Sequence, residues 1–268
     1  MRPIALVAGA VFRESVRDRV PYSMVVFAVL LMAASYLIAQ MTAGQDLKIV
    51  KDLGLASIAI FGLLIAVFIG IGLVWKEVDR RSIYSVLAKP IRRSEFILGK
   101  YAGLALTLAV NVSVMTLAFY AVLAYLDTQF SDRVRGSWPA PATDPAMLKA
   151  IALIFVELLL VTAVALFLST FSSPFLSAAL TFGLWIIGHF NTDLRNFEAV
   201  VESRPVAYMA RALYYVLPNF GAFDVKTQVV HALPVPASYV ATTALYGVVY
   251  TGVLVTAAIL IFSRRDFK

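Results

Sequence analysis

The sequence predicts an all-α integral membrane protein with six spanning helices in one domain. Three observations support this. Of 268 residues, 61% are hydrophobic and 15% charged, with a mean hydropathy of +0.84. Soluble domains run nearer half apolar and a quarter charged, and a soluble chain of this size would have too little polar surface to cover such a core. Apolar runs of about 20 residues, enough to cross a bilayer as helix, recur along the chain. Finally, Lys and Arg crowd the short connectors on alternate sides of these runs, which is how membrane proteins mark their inner face.

Residues 1–20, MRPIALVAGAVFRESVRDRV, are interrupted by Arg13, Glu14, Arg17, Asp18 and Arg19. They lack the clean apolar core and cleavage site of a secretory signal. Ile4, Val7, Val11, Ser15 and Arg19 fall at helical spacing, so an amphipathic helix lying in the membrane interface is expected. Spans are expected at 21–40, with Pro21 in the first turn, and at 53–75, 101–126, 148–171, 174–189 and 238–262. The domain therefore divides into an interfacial helix (1–20), helices 1 and 2 (21–75), a cytoplasmic segment (76–100), helices 3 to 5 (101–190), an outer loop (191–237), and helix 6 with its tail (238–268). Small residues four apart, Gly62, Ala66 and Gly70 on the second helix and Gly99 and Gly103 at the start of the third, point to close helix packing.

With the N-terminus inside, the inner pieces (1–20, 76–100, the 172–173 turn and 263–268) carry 14 of the 23 Lys and Arg residues, although the outer loops are longer. Both termini are therefore expected in the cytoplasm. One outer connection contains GSWPAPATDP and reads as non-helical. The last, near 48 residues, is too apolar for a solvated loop. Val206, Met209, Ala210, Leu213 and Val216 keep helical spacing until Pro218, so helices at or dipping into the outer leaflet are expected. Tyr208, Tyr214, Tyr215 and Phe220 suit an interfacial aromatic belt. A seventh span over 205–217 would be too short and would put the basic C-terminal tail outside.

No catalytic constellation emerges. Cysteine is absent, which excludes disulfides, thiolate metal sites and a cysteine nucleophile. There is no G-x-x-x-x-G-K-[ST] phosphate loop, no H-E-x-x-H and no G-x-S-x-G. His189 and His231 have no third ligand spaced to complete a metal site. Glu157, inside IALIFVELLLVTAVALF, is the clearest ionisable group within a span, where burial is costly. It reads either as a translocation-path contact or as an interhelical hydrogen bond, to Asn111 or Thr107 of the third helix or across a dimer interface. Asn111, Ser113 and Thr116 are weaker cases.

The segment KEVDRRSIYSVLAKPIRRSEFILGK (76–100) carries seven of the 23 Lys and Arg residues. Ile83, Val86 and Leu87 share one helical face, with Arg80, Arg81, Ser82 and Ser85 on the rest. Pro90 disfavours helix at Lys89. Ser94 is placed to cap a new helix, with Glu95 favourable at its positive end. Two readings stand side by side on physical grounds: a helix that docks into a groove on a soluble partner, or an amphipathic turn on anionic headgroups.

The pattern Glu77, Ser82, Ile83, Val86, Leu87, Pro90, Ile91, Arg93, Glu95, Gly99 and Lys100 resembles ABC transporter permeases of the type 2 exporter class, closest to the NosY-like branch associated with multi-copper enzyme maturation. LFLSTFSSPFLSAALTFGLWIIGH (166–189) and LYYVLPNFGAFDVK (213–226) are similar to that family's fourth-to-fifth helix turn and outer loop. Arg81-Ser82 departs from the Gly-Thr of many members. The resemblance implies six helices per subunit and a second permease copy as homodimer. It also implies re-entrant outer helices and separate cytoplasmic ABC ATPase subunits that carry the ATP and Mg, with no cofactor in this chain. It implies a multi-pass protein of the prokaryotic cytoplasmic (inner) membrane that exports an unidentified substrate without being an enzyme itself. An outer-face or periplasmic accessory protein fits this picture; nucleic acid does not. The residues it assigns to ATPase coupling are Glu77, Arg80, Arg81, Ser82, Ile83, Val86, Leu87, Pro90, Arg93 and Glu95. The turn at Ser172, Ser173 and Pro174 is a lesser contact, and Asn111 and Glu157 are polar residues of a translocation path. Copper cargo is disfavoured, because soft ligands do not line up across the membrane. The alternative is an ATP-independent secondary transporter or scaffold that uses Glu157.

Overall fold

A computed structural model describes residues 2–40, 46–79, 92–130, 132–136, 138–190, 208, 211 and 214–264. Among them all regular structure is helical. The main helices are α1 (Arg2–Arg17), α2 (Arg19–Gln40), α3 (Asp46–Asp79), α4 (Arg93–Gln129), α5 (Met147–Ser169), α6 (Pro174–His189), α7 (Lys226–Val230) and α8 (Ala237–Arg264). Five of these, α2, α3, α4, α5 and α8, are long and apolar enough to cross a membrane. The expected sixth, α6, forms at 174–189 but has 16 residues. At 1.5 Å per residue that is about 24 Å, short of a hydrocarbon core of about 30 Å.

The helices α3 and α4 outrun their expected spans, starting at Asp46 rather than 53 and at Arg93 rather than 101. The reason is that hydropathy marks the lipid-embedded part, whereas backbone hydrogen bonding continues through polar residues beyond it. The N-terminal helix ends at Arg17, one residue before Asp18, so Arg19 belongs to α2 and not to the apolar stripe of α1. Asp18 Oδ1 accepts from the Val20 amide at 3.2 Å, which helps start α2.

The inner pillars are α5 and α3. Of their most apolar stretches 72% and 67% is buried, against 22% for α8. α5 packs on α3, α4, α6 and α8. On α2, Ala28, Met32, Ser35 and Ala39 repeat at helical spacing and are buried, while Phe27, Leu30, Leu37 and Ile38 face outward. An apolar outer face of this kind is what a hydrocarbon surround requires.

Glycines set the tightest approaches. A Cβ at Gly62 would lie 2.5 Å from Leu158 Cδ1, and one at Gly70 would lie 2.9 Å from Ala165 Cβ, so the small-residue series on α3 receives α5. Gly99 and Gly103 receive α1: a Cβ at Gly99 would meet Val7 Cβ at 2.6 Å, and one at Gly103 would meet Val11 Cβ at 2.7 Å. The expected apolar stripe of α1 thus exists, and the start of α4 covers it.

The same contacts sort the ends of the bundle. α1, the start of α4, the end of α5 and the end of α8 lie together, through Val7, Phe96, Ile97, Leu166 and Phe262. At the opposite end, two lysines tie irregular chain to the helices. Lys51 Nζ donates to the Pro141 carbonyl at 2.8 Å, and Lys149 Nζ donates to that of Val235 at 2.8 Å.

A Gly103→Val variant is expected to lower the stability of the purified protein by about 1–3 kcal/mol, because overpacking pushes α1 off α4. Gly183→Ala, where an added Cβ meets nothing within 4 Å, is expected to leave it unchanged or slightly raised. Thermal unfolding in detergent reads both.

Candidate functional site

Glu157 stands at the middle of α5 and is 6% exposed. It pairs with α6, not with Asn111 or Thr107 as the sequence suggests. Trp185 Nε1 donates to Glu157 Oε1 at 2.7 Å, and His189 Nε2 lies 3.6 Å from the same oxygen. Asn111 Nδ2 instead donates to the Thr107 carbonyl of its own helix at 2.8 Å. The physical reason is register. Antiparallel α5 and α6, joined by the short turn after Ser169, bring Trp185 and His189 level with Glu157 on neighbouring helices.

The imidazole of His189 is oriented by a second contact. Its Nδ1 lies 3.1 Å from the Trp185 carbonyl, and because a carbonyl only accepts, that hydrogen bond places the proton on Nδ1. Nε2 then faces the carboxylate. The rings of Trp185 and His189 lie 4.4 Å apart, and His189 stacks on Phe220 at 6.1 Å. Asp224 and Lys226, themselves 3.5 Å apart, add one charge of each sign acting on Glu157 and His189.

Phe220 introduces the last part of the site, the chain that lies over the end of α6. A 3-10 turn at Phe220–Phe223 and α7 pack against α5. Phe220, Phe223, Val225, Val229 and Val230 are buried there. A Cβ at Gly188 would sit 2.6 Å from the Pro218 carbonyl, so only glycine lets this chain approach α6 so closely. Non-helical backbone needs other partners for its polar groups, and α8 supplies them with three tyrosines. Tyr250 Oη donates to the Val216 carbonyl, Tyr246 Oη accepts from the Asn219 amide at 3.0 Å, and Tyr239 Oη donates to the Ala222 carbonyl at 2.7 Å. The pairing is antiparallel. Tyr250 is mid-helix, about 20 Å from the start of α8, so the chain from Val216 to Ala222 climbs along half the length of α8. The Asn219 side chain caps the 3-10 turn by accepting from the Ala222 amide at 3.3 Å.

The described residues assigned to coupling lie at the other end. Glu77 falls within α3. Arg80, Arg81, Ser82, Ile83, Val86, Leu87 and Pro90 lie outside the described residues. Helix α4 begins at Arg93 after an extended Arg92, one residue before the expected Ser94 cap. Glu95 provides the capping: its Oε2 accepts from the Arg92 amide at 3.1 Å. The Arg92 side chain has no acceptor to return the bond. Arg93 turns toward α8, where its Nη1 donates to the Ser263 carbonyl at 2.9 Å and lies 3.4 Å from that of Phe262. In the turn between α5 and α6, Ser172 Oγ lies 2.9 Å from the Leu168 carbonyl and 2.6 Å from Ser177 Oγ. Ser173 caps α6, accepting from the Leu176 amide at 3.4 Å, and Pro174 opens the helix.

The sequence reading missed Trp185 and His189 as partners of Glu157, although their i, i+4 spacing puts both on one face of α6. It missed the tyrosines of α8 as well, where Tyr239, Tyr246 and Tyr250 also share a face. The two histidines do not meet: His231 is exposed, with Nδ1 2.9 Å from the Thr227 carbonyl.

Comparison with known families gives a match to the family model described as ABC-2 family transporter protein, over residues 6–267. No curated protein matches the chain.

The Glu157 cluster makes a stability prediction. Glu157→Ala leaves a half-buried indole N–H without its acceptor and is expected to cost about 1–3 kcal/mol. Glu157→Gln keeps an acceptor oxygen for Trp185 and is expected to cost less than half as much. Equal losses in thermal unfolding would contradict the hydrogen-bond assignment.

Proposed function

The chain belongs to the ABC-2 transporter family, and from that premise we propose that it is the membrane-spanning permease subunit of an ATP-binding cassette transporter, powered by separate ATPase subunits. The family match over residues 6–267 carries the reading. Two features of the sequence support it: the 77–100 pattern, and the lack of any phosphate-binding loop in the chain. ATP and Mg would then sit on the partner, which makes this chain a non-enzymatic component.

In this reading the end that carries α1, the start of α4 and the end of α8 faces the cytoplasm of a prokaryote, because the connectors there hold most of the cations. The 76–100 segment contains the docking helix for the ATPase, with Ile83, Val86 and Leu87 as its apolar face. The turn at Ser172, Ser173 and Pro174 makes a lesser contact. ATP-driven closure of the ATPase pair moves these elements and, through them, the spanning helices as rigid bodies. A second copy of the chain completes the path, the 216–230 chain lies within the outer leaflet, and the cargo is extruded outward. The NosY-like branch is the nearest fit for the 77–100 pattern.

Leu87→Glu is expected to weaken association with the ATPase at least about tenfold, the effect of removing a central interface anchor. Glu77→Lys is expected to uncouple ATP hydrolysis from transport. Neither variant should alter thermal unfolding of the helices. Binding of the purified ATPase to the chain in nanodiscs, together with ATPase assays, measures both. Unchanged binding and coupling in both variants would overturn the assignment.

A further inference from the structure

Among the described residues of the proposed coupling set, Arg93 has a side chain that reaches another spanning helix. Its guanidinium sits at the C-terminal end of α8, bonded at 2.9 Å to the carbonyl of Ser263, with that of Phe262 at 3.4 Å. A guanidinium bonded to a backbone carbonyl makes a charge-assisted hydrogen bond, stronger than a neutral one. One turn further along α4, Phe96 stacks on Phe262 with rings 5.9 Å apart and 21° from parallel. Lys100 Nζ stands 4.7 Å from the centre of the Phe96 ring, and Lys100 is 1% exposed. The first turn of α4 thus grips the last turn of α8 with a charged hydrogen bond and a ring stack. Val255, Ala258 and Phe262 of α8 share a buried cluster there with Phe96 and Ile97.

We infer that Arg93 is a positioning residue that locks the end of α8 to the start of α4, so that the two helices move as one body. The inference rests on the proposed function for its consequence. Displacement of the segment before Arg92 then reaches α8 directly, and α8 carries the three tyrosines that hold the 216–222 chain. Arg93 acts through α8.

The test uses the full chain in nanodiscs, with Arg93→Gln and Arg93→Lys. In the chain alone, Arg93→Gln is expected to speed amide hydrogen exchange in residues 260–264 about threefold to tenfold, the net loss of one hydrogen bond. Exchange in α5 should stay unchanged, and Arg93→Lys, which can still donate to the carbonyls, should restore most of the protection. Unchanged exchange at 260–264 overturns the lock. Loss of ATPase binding without a change in exchange makes Arg93 a direct contact and also overturns it. If no ATPase binds the unaltered chain, the proposed function fails, and the exchange arm still decides the lock.

Discussion

Hydrocarbon offers no hydrogen bonds to backbone, and the rest of the structure follows from this constraint. Helices answer it locally, which is why every regular element among the described residues is helical. The chain around 216–222 cannot answer it locally, because Pro218 and the 3-10 turn break the repeat. The answer comes from three tyrosines on one face of α8, each bonded to a backbone group of that chain. Because α6 ends short, the chain from Pro218 onward takes up the volume beyond its last turn, and Gly188 is the point of closest approach. The placement of this chain, the short helix and the tyrosine face are one solution to one problem.

Glu157 is the polar counterpart inside the bundle. A carboxylate buried in the central helix needs donors, and Trp185 supplies one at 2.7 Å. The arrangement fixes α6 against α5 in one register. It also joins the chain after Pro218 to the same centre, because His189 stacks on Phe220. The inner face of the bundle is thus specified at mid-depth by one hydrogen-bonded pair and at the basic end by Arg93 on α8. Small residues set the close helix approaches around them: Gly62 and Gly70 against α5, and Gly247, where an added Cβ would lie 2.5 Å from Val156 Cγ1. Such an interior suits helices that move as packed bodies.

Much of this was legible in the sequence, where one residue's chemistry sufficed. The apolar runs located α2, α5, α6 and α8 to within a few residues. The Gly99 and Gly103 spacing announced a close approach, and Pro174 after Ser173 announced the start of α6. What escaped was pairing between elements. Nothing local told Glu157 to choose Trp185 over Asn111, since that choice depends on the register of α5 against α6. Nothing local told Arg93 that its acceptors lie 170 residues away, at the end of α8. The apolar stripe of α1 was visible, but an amphipathic stripe fits a lipid surface and a glycine groove equally well. Only the assembled bundle shows that α4 receives it.

The central claim is that this chain supplies the spanning path while another protein supplies the energy. The most direct measurement is ATP hydrolysis and cargo-independent nucleotide binding by the purified chain in liposomes, alone and with the proposed partner ATPase. The account predicts no binding or hydrolysis by the chain alone, and a stable complex that hydrolyses ATP once the ATPase is added. ATP hydrolysis by the isolated chain, or transport driven by an ion gradient with no ATPase present, would contradict it.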